Sequence, residues 1–385
     1  MIPPRLPSTR ADWDDSRRHA RLRETGFVSS QRGATRRALA VLAAVLVPLT
    51  AVAALYWTFD VAPERDRLAH THPQIVEVHR AADVRRDTTA VVDLVGLGNL
   101  DAAPTAYTLD SLAGLGRVWA VQYDNSGLDT RVVSDLVRDR AEREGIRDVV
   151  LVGHSMGGVI ALEVARHLYT ESSLGVPGVV LDSTPIDLHA VRSSSRDAGE
   201  EMLRWIGWLP GARESRLVRM SVEITARHDR FVTADVERTV GFRPGAFVDV
   251  VEEVLGEKIY TPAAASNALI ESQFTAIVAS GAASDVEALR EDVDGKVAPG
   301  IVFLRPQQGA ADTVVDVDYT QRVLFDLAGG PDGALRVVRM AGTGHANPNQ
   351  QPVAYNAAIA GHAVPFLEQR VVVGPPVTLL AGPER

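Results

Sequence analysis

The stretch Asp148–Gly158, DVVLVGHSMGG, constrains this chain more than any other. Asp148–Val152 is a short apolar run of the kind that fills a strand buried on both faces. From Met156 to Leu168 apolar residues recur at helical spacing. Only Gly153, His154 and Ser155 lie between the two patterns, so the strand must become a helix within three residues. At so sharp a turn the central residue is strained, and side chains two positions to either side would collide. Gly153 and Gly157 remove that collision. The turn lifts the Ser155 hydroxyl to the N-terminal end of the helix, where developing negative charge is favoured. A G-x-S-x-G placed between a strand and a helix is the setting of a nucleophilic serine. The Met156 amide is then a candidate oxyanion donor.

The rest of the chain repeats the alternation. Thr89–Val95, Arg117–Gln122, Gly178–Leu181, Ile301–Leu304 and Leu335–Met340 read as strands, with Gln74–Val78 as an early one. Residues 105–114, 129–144, 319–327 and 353–367 carry helical patterns. Such alternation predicts an α/β fold, a mostly parallel sheet flanked by helices. The pattern is interrupted between Ile186 and Lys296 by a mainly helical stretch.

A serine hydroxyl needs a base to take its proton, and the base needs an acid to orient it. Where this motif occurs in this setting, the chain order is serine, acid, histidine. His345, in GTGHANP just after the strand LRVVRM, is the base candidate. His362 also follows a glycine but falls inside the last helical pattern. Asp312 follows IVFLRP by a short loop and is the acid candidate, with Asp316, Asp318 and Asp182 as alternatives.

These pieces resemble the α/β-hydrolase superfamily over residues 89–185 and 299–367. GHSMGG is the form many of its esterases and lipases carry at the nucleophile. Gly309–Val315 (G-x-x-D-x-x-V) and Gly344-His345 match its acid and base segments in order and spacing. The resemblance implies a Ser155–His345–Asp312 triad and a second oxyanion amide from the loop Gly96-Leu97-Gly98-Asn99. Leu97 is the expected donor, or else Gly98. The family's frequent His-Gly at that loop is absent, a change that a backbone donor tolerates. The interruption at 186–296 falls where the family inserts its cap. There Met202, Leu203, Trp205, Ile206, Trp208 and Leu209 suggest an apolar pocket lining.

Residues 38–59 form an uncharged run of 22, long enough to cross a bilayer. Tyr56 and Trp57 lie at one end and Arg36 and Arg37 at the other, as membrane interfaces favour. One transmembrane helix is therefore expected, a retained single-pass anchor in the cytoplasmic membrane. Residues 1–37 would stay inside and the catalytic body outside. A cleaved export signal ending near Ala51-Val52-Ala53 is the rival reading. The expected division is thus 1–37 basic segment, 38–59 membrane helix and 60–88 linker and first strand. The hydrolase core follows in 89–185 and 297–370, split by the cap at 186–296, and 371–385 is a loose tail.

Charge supports that layout. Nine arginines against four carboxylates give residues 1–37 a balance of +5, which leaves −14 from Asp60 onward in a chain of net −9. An acidic body of that size argues against nucleic acid as a partner. The absence of cysteine removes disulfides, thiolate metal sites and cysteine nucleophiles. His70, His72 and His79 invite a metal reading, but the prolines around them favour a linker. The expected activity is ester cleavage through an acyl-enzyme, with a small-molecule or lipid ester as substrate and no cofactor. Acyl transfer or thioester hydrolysis would use the same residues, and a silent binding protein on the same fold is a further alternative.

Overall fold

The computed structural model describes residues 15–234, 240–279, 281–293, 295–329 and 333–371. Residues 1–14 of the basic segment and 372–385 of the expected tail lie outside the described residues. By internal packing the chain falls into two units, Met1–Asp60 and Val61–Arg385.

The first unit is the helix Asp15–Tyr56, with Pro48 inside it. Every residue from 38 to 55 is exposed. The helical run Gly33–Leu68 is long and apolar enough to cross a membrane. Within the expected linker, Ala62–Leu68 is helical, with Pro63 in its first turn. Glu64 is buried there and paired with Arg67 and Arg216.

The second unit is built on a seven-stranded sheet. Its strands are β1 (Gln74–His79), β2 (Thr89–Leu94), β3 (Arg117–Gln122), β4 (Asp148–His154), β5 (Gly175–Asp182), β8 (Gly300–Pro306) and β9 (Leu335–Met340). They lie in the order β1-β3-β2-β4-β5-β8-β9. Every neighbouring pair is parallel except β1 with β3. Each residue of β2, β4 and β8 is buried, which is why these strands read as continuous apolar runs. Edge strand β9 instead buries only Val338 and Met340 and shows Arg336 and Arg339 to solvent, which discourages pairing with another chain.

Helices cover the sheet. Asp129 caps the helix Thr130–Glu144 by accepting from the Arg131 and Val132 amides, and Gly145 ends it at φ 68°. The last helical pattern is divided into Pro352–Ala358, a π-helical turn at Ile359–Ala363, and Val364–Glu368. Pro365 withdraws one amide from the ladder just past that turn.

The interruption between β5 and β8 has two parts. Helices Ser193–Trp208, Asn267–Val278 and Ala282–Ala288 contribute Met202, Leu203, Leu269, Ile270, Phe274, Ala282 and Val286 to the main core. Helices Arg216–Ala226 and Pro244–Val254, with a hairpin of β6 (Val232–Ala234) and β7 (Val240–Phe242), instead enclose a small core of their own around Phe231, Val250, Val254 and Ile259.

Candidate active site

Strand β4 lies at the centre of the sheet between β2 and β5, so what leaves its C-terminal end is held by the most buried part of the fold. Ser155 follows directly at φ 54° and ψ −122°, and the helix Met156–Glu171 begins one residue later. A non-glycine residue at positive φ is strained and persists only where its surroundings fix it. Here the Ser155 amide donates to the Asp182 carbonyl at 2.7 Å and the Gly158 amide to the Ser155 carbonyl at 3.0 Å. A Cβ at Gly153 would overlap the backbone of Gly157 and Gly158, one at Gly157 the carbonyls of Leu94 and Val95, and one at Gly158 the side chain of Thr184. Gly157→Ala is therefore expected to destabilise the chain by about 1–3 kcal/mol, as overpacking does. A thermal melt equal to that of the parent chain would contradict this.

His345 comes from the loop after β9 and Asp312 from the loop after β8, where a 3-10 turn, Gly309–Ala311, precedes it. His345 Nε2 lies 2.8 Å from Ser155 Oγ, and His345 Nδ1 lies 3.0 Å from Asp312 Oδ2. The carboxylate can only accept, so Nδ1 carries the proton and Nε2 faces the hydroxyl with its lone pair. Asp312 Oδ1 accepts from the Val314 and Val315 amides at 2.9 and 2.8 Å. Burial pushes the Asp312 carboxyl upward, but the His345 ring and these amides outweigh it and hold it below the ordinary carboxylate range. The loop is also pinned by Arg192, whose guanidinium donates to the Asp312 and Gly309 carbonyls at 2.7 and 3.0 Å. Nothing local to Arg192 in the sequence marks that role.

The other candidates lie elsewhere. Asp316 caps the helix Val317–Ala328, Asp318 pairs with Arg305 at 2.6 Å, and His362 sits in the π-helical turn. His70 bonds the Asp66 carbonyl, and His79 reaches the carbonyls of Ala106 and Tyr107. Asp182 belongs to a second, fully buried cluster beneath the turn. His154 Nδ1 is 2.8 Å from Asp182 Oδ2, and its Nε2 is 3.0 Å from Asp93 Oδ1, an ion-pair contact short of hydrogen-bond geometry. Burial alone would lower the His154 pKa. Asp93 first, and then Asp182, raise it to about 10, so the ring is an imidazolium. Tyr355 donates to Asp182 Oδ1 at 3.0 Å and accepts from the Asn347 amide at 3.1 Å, while Asn347 Oδ1 takes the Gly344 amide at 3.2 Å. The cluster thereby reaches the backbone on both sides of His345.

Two amides near Ser155, those of Met156 and Leu97, donate to no group among the described residues. The Gly98 amide, the alternative loop donor, donates to Gln273 Oε1 at 2.9 Å. Gly96 packs against the turn so closely that a Cβ would lie 2.9 Å from the His154 carbonyl oxygen and 3.2 Å from Ser155 Cβ. A cavity of about 490 Å³ opens over Ser155. Val191, Phe274, Ile277, Val314 and Val315 form much of its apolar wall, and its lining contains neither lysine nor arginine. None of Met202, Leu203, Trp205, Ile206, Trp208 and Leu209 lines it; Trp205 and Trp208 are exposed. Amphipathic spacing on Ser193–Trp208 marks a face to bury but not what it meets.

With the sheet, the turn and the three side chains in place, the sequence match agrees with the architecture. Residues 75–358 match the alpha/beta hydrolase family, and the chain belongs to it. Solved structures similar to it include a carboxylesterase of the ammonia-oxidizing thaumarchaeon Nitrososphaera gargenis, at 13 % identity over 78 % of this chain and 96 % of that one, TM-score 0.47. An esterase of Exiguobacterium antarcticum is 14 % identical over 76 % and 94 %, TM-score 0.46. A bacterial membrane phospholipase A is 18 % identical over 83 % and 97 %, TM-score 0.45. No curated protein matches the sequence.

Proposed function

We propose that this hydrolase cleaves carboxylic esters with Ser155 as nucleophile, His345 as general base and then acid, and Asp312 as the group that orients His345. The observation that carries the reading is the 2.8 Å contact between Ser155 Oγ and His345 Nε2 on a strained strand-to-helix turn. As Oγ bonds to the ester carbon, its proton passes to Nε2. The carbonyl oxygen becomes an oxyanion facing the Met156 and Leu97 amides. Collapse breaks the ester bond, and the leaving alkoxide takes the proton from Nε2. Water then attacks the acyl-enzyme by the same path and frees the acid. None of these steps needs a metal or organic cofactor.

The catalytic unit works on the outer side of the cytoplasmic membrane, with residues 38–59 as a single-pass anchor. The arginine excess before the apolar run and the acidic body after it support that orientation. A cavity with an apolar wall and neither lysine nor arginine in its lining favours neutral acyl groups over esters bearing a carboxylate or phosphate. Each methylene buried there contributes about 0.8 kcal/mol, at most roughly a fourfold gain in kcat/KM. With the full chain in detergent, p-nitrophenyl hexanoate is expected to exceed the acetate in kcat/KM. Faster turnover of the acetate would refute the apolar pocket. Turnover of thioesters with none of any oxygen ester would refute the ester reading.

A further inference from the structure

The loop that carries the Leu97 amide is fastened from the inserted segment. Its turn closes on itself through the Asn99 amide and the Gly96 carbonyl at 3.2 Å, with Gly98 at φ 79°, a conformation that favours glycine. Gln273, on the helix Asn267–Val278, is wholly buried against it. Gln273 Oε1 accepts from the Gly98 amide at 2.9 Å, and its Nε2 donates to the Asn99 carbonyl at 3.0 Å. Only this orientation of the side-chain amide satisfies both partners, because a backbone N–H can only donate and a carbonyl only accept. The same helix sends Phe274 and Ile277 into the cavity wall, and a bridge between Asn99 and Ala264 ties the loop to the residues just before it.

A turn of four residues containing two glycines has little stiffness of its own. Its position against Ser155 must be set by what holds it. The clip occupies the amide of Gly98 and the carbonyl of Asn99 and leaves the Leu97 amide unused. Displacing a reacting group by about 1 Å can cost on the order of 100-fold in rate.

We propose that Gln273 is a positioning residue for the oxyanion donor: its two hydrogen bonds hold the Gly96–Asn99 turn so that the Leu97 amide faces the oxygen of the carbonyl attacked by Ser155. This rests on the reading of Ser155 as nucleophile. It makes stabilisation of the oxyanion depend on the docking of the helix Asn267–Val278. An insertion that shapes the pocket thereby also sets the rate of the chemical step.

The test uses the full chain in detergent with p-nitrophenyl hexanoate and a hexyl trifluoromethyl ketone. The ketone carbon accepts Ser155 Oγ, the Oγ proton moves to His345, and the ketone oxygen becomes the oxyanion. Gln273→Leu removes both hydrogen bonds. Its kcat is expected to fall about 10- to 100-fold with KM within about twofold, and its ketone affinity to weaken by a similar factor. Should Gln273→Leu fail to fold, Gln273→Glu, which keeps an acceptor for Gly98, carries the same comparison with a smaller loss. A kcat and ketone affinity within twofold of the parent chain would overturn the proposal. So would a rise in KM at unchanged kcat, which would make Gln273 part of the pocket wall alone. If the parent chain neither hydrolyses the ester nor binds the ketone, it is the assignment of Ser155 that fails, whatever the Gln273 variants do.

Discussion

Ester turnover by Ser155→Ala is expected to fall by about four to six orders of magnitude, with KM little changed. The size follows from what the serine does. Its Oγ is the atom that bonds to the substrate, and among the described residues no other hydroxyl is held by the imidazole of His345. The variant should fold, because the residues that define the turn are Gly153, Gly157 and Gly158, and the hydroxyl bonds to the side chain of His345 and to no backbone group among the described residues. What remains is the binding and oxyanion stabilisation of a site without its nucleophile, which still exceeds the uncatalysed rate. Steady-state kinetics on the two chains at one detergent concentration measures the ratio. A loss of less than about tenfold would mean that water attacks the ester directly, with His345 as its base, and that no acyl-enzyme forms.

The second large effect concerns stability. His154→Leu is expected to destabilise the chain by about 3–5 kcal/mol, because it leaves Asp93 and Asp182 buried beside each other without their shared cation. For a unit of this size that lowers the melting temperature by about 10 °C. The pH dependence has a definite sign. Folding raises the imidazole pKa from about 6.5 to about 10, so the contribution is complete below 6.5 and is lost as pH rises toward 10. The melting-temperature gap between the parent chain and His154→Gln should therefore narrow between pH 7 and pH 10. A constant gap across that range would show that the ring is neutral and that one of the two carboxyls carries the proton instead.

The parts that the sequence made legible are those encoded locally. Gly153 and Gly157 announce the turn because only glycine avoids the backbone on either side of it. The buried strands β2, β4 and β8 announce themselves because both faces are covered and the middle of each is a run of apolar residues. What was hidden depends on contacts across long stretches of chain. Gln273 meets Gly98 across 175 residues, and Arg192 meets Asp312 across 120. Neither residue has a neighbour in sequence that marks its role. The six apolar residues at 202–209 misdirected for a related reason, since spacing shows that a face is apolar and not which surface it covers. The His154 cluster does leave a signal in the sequence. Asp93 interrupts TAVVDLV and Asp182 ends GVVLD, and a carboxylate in a strand that apolar needs a buried partner.

The most direct measurement is the site of reaction with a fluorophosphonate. The full chain in detergent would be treated with the probe, digested, and the adduct located by mass spectrometry, with Ser155→Ala beside it. The geometry of Ser155, His345 and Asp312 predicts one adduct, on the peptide containing Ser155, absent from the variant. A folded parent chain that takes up no probe, or takes it up at another serine, would contradict the assignment of Ser155 as nucleophile.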